Sequence, residues 1–315
     1  MKALITGIAG FVGSHLAELL VGKNYEVLGI CLACESLENI SHLKKEMRLF
    51  HSDVTDFNDL NKLVKRTNPD EIYHLAAFSS VGKSFEKPLK TLEVNLQGTA
   101  NLLEILRNSK RKVKLLLVGS ADVYGKVEKK DLPIKETLPF NPISPYGASK
   151  ACADILAYQY FNSCGVNVIR ARSFNHTGPR QAKRFVIPDF ASQIAEIEKG
   201  YTKPFLKVGN TEAERDISDV RDIVNGYYLL MKKGKLGEAY NLCSGKAYKI
   251  KYLLDYLLNL SEKEIKVVPS QNRKRPTDIP ILLGGNSKIK KEVGWKPKIP
   301  IIKTLKDTLD FWRGR

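Results

Sequence analysis

Tyr146 and Lys150 lie four residues apart in the run Tyr146-Gly147-Ala148-Ser149-Lys150, a spacing that puts two side chains on one helix face. A lysine ammonium beside a phenol favours the phenolate and lowers its pKa from about 10 toward the working range. The pair therefore predicts a tyrosine that donates and accepts a proton near neutral pH. Ser120, just past the apolar strand Val113 to Val118, would hold the reacting oxygen between them. Tyr-x-x-x-Lys also arises by chance in many helices, so its meaning depends on the elements around it.

Those elements begin with a short apolar strand, Lys2 to Thr6, running into Gly7-Ile8-Ala9-Gly10-Phe11-Val12-Gly13 and then a helix with Leu16, Leu19 and Leu20 on one face. Gly7 permits a tight turn, Gly10 lets the backbone approach a pyrophosphate, and Gly13 allows close helix–strand packing. The helix start adds free N–H groups and a positive dipole end for phosphates. Gly7, Gly10, Phe11, Val12 and Gly13 are thus the candidate dinucleotide cradle, although a glycine trio can also be a structural turn. A second strand, Glu26 to Cys31, should end at the adenosine ribose. An acid there would favour NAD and an arginine NADP, but in Cys31-Leu32-Ala33-Cys34-Glu35 the acid arrives late, and Lys44 or Lys45 could reach a phosphate from the next segment, so the cofactor stays NADP or NAD. Asp53-Val54, after the strand Arg48 to Ser52, can meet the adenine amino group, or Asp53 can cap the helix starting near Phe57. Ala76 and Ala77, after the strand Glu71 to Leu75, are small enough to let the chain cross beneath a cofactor. Asn95 starts another helix, as catalytic-site scaffolding beside the cofactor or as an N-cap.

At this point the sequence resembles the extended short-chain dehydrogenase/reductase family of nucleotide-sugar enzymes. The resemblance covers nearly the whole chain: the glycine motif, Leu75-Ala76-Ala77, Asn95, Ser120, Val123-Tyr124-Gly125, Ser144-Pro145-Tyr146 and Lys150. Three later segments are similar to the GDP-deoxyhexose branch: Phe174 to Gln181, Lys207-Val208-Gly209-Asn210 through Arg215-Asp216, and Arg275-Pro276-Thr277-Asp278. That branch contains enzymes that dehydrate GDP-mannose and enzymes that reduce the resulting 4-keto sugar. The dehydratases carry a threonine, a small polar residue and a glutamate before Val-Tyr-Gly, where this chain has Ser120-Ala121-Asp122. Ala121 cannot move a proton, and Asp122 is one methylene shorter than glutamate. The resemblance therefore implies NAD(P)H-dependent reduction of the 4-keto group of GDP-4-dehydro-6-deoxy-D-mannose, with GDP-D-rhamnose as the expected product. Dehydration is the runner-up and nucleotide-sugar 4-epimerisation the third reading. A dinucleotide-sensing scaffold is the non-enzymatic alternative, opposed by the presence of both Tyr146 and Lys150. The catalytic candidates are Ser120, Asp122, Tyr146 and Lys150, the last two also touching the cofactor.

A diphosphate needs fixed donors, which an arginine fork supplies in pairs. Arg215 and Arg275 match family positions for this task; Arg184 is a further candidate, Asn175 and Ser80 would meet sugar or phosphate, Lys207 the guanine or ribose edge, and Asp278 the ribose hydroxyls. Each has a plainer role as a turn, ion-pair or solvated residue.

Alternating strands and helices up to about Arg172 predict an α/β, Rossmann-like doubly wound parallel sheet with a smaller, interleaved C-terminal substrate lobe. The dinucleotide-binding part covers 1–172, with 218–245 returning to it, and the substrate lobe covers 173–315. A helix from Ala148 to Cys164 would carry Lys150. The 315 residues hold 51 basic and 34 acidic side chains, for a net charge of +17, which favours anionic partners. The basic runs are short and lack interleaved aromatics, so a nucleotide sugar is expected rather than nucleic acid. No apolar run approaches a membrane span, the chain enters its first strand with no room for a signal peptide, and five scattered cysteines suit a reducing, cytoplasmic setting. Cys31 and Cys34 form a lone C-x-x-C without further ligands, so no metal site is expected. The resemblance implies a homodimer through the helices Leu96–Arg107 and Ala148–Cys164.

Overall fold

The computed structural model describes residues 1–270, 273 and 279–315. Strands β1 (Lys2–Thr6), β2 (Glu26–Cys31), β3 (Met47–His51), β4 (Glu71–His74), β5 (Lys114–Ser120) and β6 (Val168–Ser173) form a sheet in the order 3-2-1-4-5-6, all parallel. The order reverses between β1 and β4, and in open α/β sheets a ligand binds in the crevice at the strand ends there. The fold is the expected Rossmann-like α/β arrangement.

Period-two alternation builds a core on each face. Ala3 and Ile5 pack toward α1 (Phe11–Val21), while Leu4 faces the opposite layer with Leu28 and Ile30. That opposite layer consists of α2 (Phe57–Thr67), then α3 (Val81–Glu86), α4 (Pro88–Leu92), α5 (Gly98–Arg107) and α6 (Pro145–Cys164). Because both faces are covered, the central strands read as nearly continuous apolar runs such as Leu115-Leu116-Leu117.

After β6 the chain leaves through β7 (Asn175–Thr177) and builds a lobe from α7 (Val186–Glu198), β8 (Phe205–Val208) and β9 (Glu214–Asp219). It then returns along α8 (Val220–Lys233) to β10 (Ala239–Leu242), which adds a seventh parallel strand beside β6. The remaining elements are β11 (Ala247–Lys249), α9 (Ile250–Asn259), β12 (Lys266–Pro269), β13 (Ile281–Leu282), α10 (Ser287–Val293) and α11 (Ile301–Arg313). The lobe has its own core, where Ile187, Phe190, Leu253, Leu257, Leu305 and Leu309 meet. Trp295 packs instead against Gly226 of α8, its indole N–H donating to the Asp222 carbonyl at 2.9 Å.

Several boundaries differ from the sequence expectation for local reasons. Helix α6 starts at Pro145, not Ala148: the Ser144 hydroxyl caps the Gly147 amide at 3.0 Å and proline occupies the first turn. Asn95 does not start a helix. It lies in a π-helical segment, Glu93–Gln97, that joins α4 to α5. The N-cap of α2 is Asp56, which accepts from Asp59, and Asp53 instead receives the Thr55 amide and hydroxyl.

Candidate active site

The turn after β1 depends on its glycines. Gly7 has φ +71°, and a Cβ there would stand 3.0 Å from the Ala76 backbone. A Cβ on Gly13 would come within 2.2 Å of the Gly7 carbonyl, so only glycine lets α1 begin this close to β1. Gly10 is the N-cap of α1 and offers no side chain, which leaves the first-turn N–H groups directed outward. Thr6 closes the far side: its hydroxyl takes the amides of Leu75 and Ala76 at 3.1 and 3.0 Å and meets His74 at 2.9 Å.

This turn forms one end of a cavity of about 640 Å³. Its wall contains Gly7, Gly10, Phe11, Val12, Gly13, Asp53, Val54, Leu75, Ala76 and Ala77 at that end. Ser120, Asp122, Tyr146 and Lys150 lie in the middle, with Ser80, Asn175, Arg184 and Arg215 also on the wall. Two predicted residues lie off it. Asn95 is buried as a strut: it bonds the amide and carbonyl of Phe78 and the Ser149 hydroxyl, tying the loop after β4 to α6. Lys207 points outward, because alternation along β8 sends Leu206 and Val208 into the lobe core, and Gln193 brackets its backbone. Arg275 and Asp278 lie outside the described residues.

In the middle of the cavity, α6 presents Tyr146 and Lys150 toward the end of β5. The Lys150 ammonium donates to the Val118 carbonyl at 2.9 Å, and burial lowers its pKa to about 8. The Ser120 hydroxyl donates to Asp122 at 3.0 Å and accepts the Asp122 amide at 3.1 Å. The phenol of Tyr146 is held above its usual range, first by burial and then by the Asp122 carboxylate, with a hydrogen bond to Ser120 acting the other way. This corrects the expectation that Lys150 pulls the phenol down: the ammonium is turned to a strand carbonyl, and the carboxylate beside Ser120 acts on the phenol. His74, beneath Lys150, is kept neutral, its pKa lowered to about 3 by burial and by that ammonium.

Ser84 is buried and supports Tyr146 by accepting its amide at 3.2 Å. Sequence reasoning missed Tyr227 and Ser173, which share a 2.7 Å hydrogen bond on the cavity wall. Tyr227 sits on a helix whose pattern signals only core, so nothing local marks it. His176 stacks on Phe11 at 6.0 Å, and its Nδ1 hydrogen-bonds the Phe174 carbonyl.

The family model for GDP-mannose 4,6 dehydratase matches residues 4–308. The chain belongs to that family, within the extended short-chain dehydrogenase/reductases. It is 34% identical to the GDP-6-deoxy-D-mannose reductase of Pseudomonas aeruginosa, covering 100% of this chain and 98% of that one. It is equally 34% identical to GDP-mannose 4,6 dehydratase 2 of Arabidopsis thaliana, over 98% of this chain and 86% of the relative. The solved structure of RMD from Pseudomonas aeruginosa complexed with NADPH superposes with a TM-score of 0.86 at 33% identity, covering 100% and 99% of the two chains. The chain is thus an enzyme of the oxidoreductase type that this family comprises. Its glycine cradle fits a dinucleotide, since a side chain at Gly7 or Gly13 would collide with the backbone that forms it. Among the described residues no group of three or more His, Cys, Asp or Glu could hold a metal, all five cysteines are free thiols, and no helix is long and apolar enough to cross a membrane.

Proposed function

We propose that the enzyme reduces the 4-keto group of GDP-4-dehydro-6-deoxy-D-mannose to a GDP-6-deoxyhexose, GDP-D-rhamnose, with NADH or NADPH as reductant. The observation that carries this reading is the Ser120-Ala121-Asp122 step at the end of β5. Ala121 lines the cavity with no group able to move a proton, and the Asp122 carboxylate is one methylene shorter than the glutamate that the resemblance places there in dehydratases. Elimination across C5 and C6 needs a base and an acid at that place; ketone reduction needs neither.

A bound reduced nicotinamide supplies the hydride. Tyr146 gives its phenolic proton to the oxygen developing at C4, and Ser120 turns its hydroxyl from Asp122 to that oxygen. A phenol held protonated suits this direction, whereas oxidation of an alcohol would call for the phenolate. Lys150 keeps its charge below pH about 8 and has two further N–H groups for the nicotinamide ribose. Arg184 and Arg215, with Arg275 in the same role, would bind the diphosphate. Lys207, on the outer face of β8, has no part in this scheme.

GDP-mannose 4,6-dehydration is the second reading, favoured by the 34% identity to the Arabidopsis dehydratase. The test supplies GDP-mannose alone with oxidised cofactor, and separately the 4-keto sugar with reduced cofactor. Steady cofactor oxidation with the ketone alone supports the reductase; ketone formation from GDP-mannose overturns it. A cytoplasmic homodimer through α5 and α6 belongs to the same reading, supported by Ile155 and Tyr158 of α6, which are 58% and 48% exposed.

A further inference from the structure

The segment from Asn175 to Arg184 meets the cavity wall at both of those residues, and Arg180 stands between them. Arg180 has φ +74°, a left-handed backbone that residues with a Cβ rarely adopt. Such a conformation persists only where surrounding contacts over-determine it. Here the side chain makes those contacts. The guanidinium grips both carboxylate oxygens of Glu18 at 2.8 and 2.6 Å, and it donates to the Asn39 carbonyl at 3.2 Å and to His15 Nδ1 at 2.6 Å.

Every one of these partners is tied to the glycine turn. His15 and Glu18 lie on α1, which starts there, and the Asn39 side-chain amide donates to the Ala9 carbonyl inside the turn at 3.1 Å. His15 also holds the loop backbone: its Nε2 proton goes to the Pro179 carbonyl at 3.0 Å, which leaves Nδ1 bare to accept from the guanidinium. Burial, then that guanidinium, keeps the ring neutral, its pKa lowered to about 4. On the other side Gln181 stiffens the segment. Its Oε1 accepts the Thr177 hydroxyl at 2.7 Å and its Nε2 donates to the His176 carbonyl at 3.1 Å, so a shift at Arg180 is passed back to the neighbours of Asn175.

We infer that Arg180 is a positioning residue through which occupation of the glycine turn raises the affinity for the sugar nucleotide. A filled turn fixes α1 and Asn39, and Arg180 carries that order to the Asn175–Arg184 segment before the sugar arrives. Part of the cost of ordering the segment is then already met, and by linkage each ligand tightens the other by the same factor. The inference rests on the reading above that a dinucleotide and a GDP-sugar share this cavity.

The test is calorimetric titration of GDP-mannose, which a reduced cofactor cannot turn over, into the full-length protein with and without saturating NADH or NADPH. The parent Kd is expected to fall at least about fivefold when the dinucleotide is present. Arg180→Lys, whose single ammonium cannot span Glu18, His15 and Asn39 together, should bring that ratio below about twofold, with the dinucleotide alone bound within about threefold of the parent. Glu18→Gln, which keeps an acceptor but drops the charge, should give a ratio between the two. A merely structural role would weaken GDP-mannose equally in both titrations and leave the ratio unmoved. In turnover of the 4-keto sugar at saturating dinucleotide, Arg180→Lys should raise KM at least about fivefold with kcat within about threefold, because Ser120, Tyr146 and Lys150 lie on other elements. A parent ratio below about twofold, or a ratio unmoved in both variants, overturns the inference but spares the reductase reading. GDP-mannose that binds in neither titration overturns the sugar reading and the inference with it.

Discussion

Replacing Tyr146 with phenylalanine removes the proposed proton donor and its hydrogen bond to Ser120. The ring stays in the first turn of α6, the backbone amide still donates to Ser84, and the Ser120–Asp122 hydrogen bond survives. A positioned general acid contributes roughly 10²–10⁴ in rate. Here the carbonyl oxygen keeps a second donor, Ser120, and the cavity admits water, which places the loss near the middle of that range. The expected fall in kcat is about 10³-fold, or about 4 kcal/mol at the ~1.36 kcal/mol that each decade represents. Losing one hydroxyl hydrogen bond should cost about 1 kcal/mol of stability, a shift of roughly 2–4 °C in Tm. The assay is the decay of nicotinamide absorbance with the 4-keto sugar at saturation, alongside cofactor Kd and thermal unfolding of the same preparation. A kcat within tenfold of the parent value, with cofactor affinity intact, would show that the proton comes from elsewhere and refute the assignment.

Three further outcomes follow from the geometry. Burial lowers the Lys150 pKa to about 8 while Tyr146 titrates above its usual value, so the ammonium is the group lost as pH rises through about 8. The rate should therefore fall on the alkaline side of pH 8, with the limb displaced beyond pH 10 in Lys150→Arg; a parent profile flat to pH 10 would contradict this. Gly13→Ala places a Cβ 2.2 Å from the Gly7 carbonyl, so the turn must open; about 1–3 kcal/mol of stability should be lost, with cofactor affinity down at least tenfold by titration, and unchanged binding would refute the cradle. Ile155→Glu combined with Tyr158→Glu should convert a dimer to a monomer in light scattering, and an unaltered mass would exclude the α6 face as the interface.

The sequence was enough to place the sheet, because strands covered on both faces read as apolar runs and the glycine spacing has one stereochemical use. β1 and β2 run over the residues expected, from Lys2 to Thr6 and Glu26 to Cys31. Residue type and spacing likewise marked Tyr146, Lys150 and Ser120, which are local to one strand end and one helix turn. What the sequence could not carry was the field around those groups. The direction of the Tyr146 shift depends on burial and on a carboxylate 24 positions away, and the ammonium four residues along the same helix turns to a strand carbonyl instead. Asn95 and Lys207 match the family pattern, yet one became a strut and the other a solvent-facing strand residue, because a motif fixes position along the chain but not which side faces the cavity. Arg180 shows the reverse: no neighbour in sequence offers it a partner, and the fold brings Glu18 and Asn39 to its guanidinium. Short-range periodicity thus determined the scaffold and the reactive pair, whereas charge and reach were decided by contacts between residues distant in sequence.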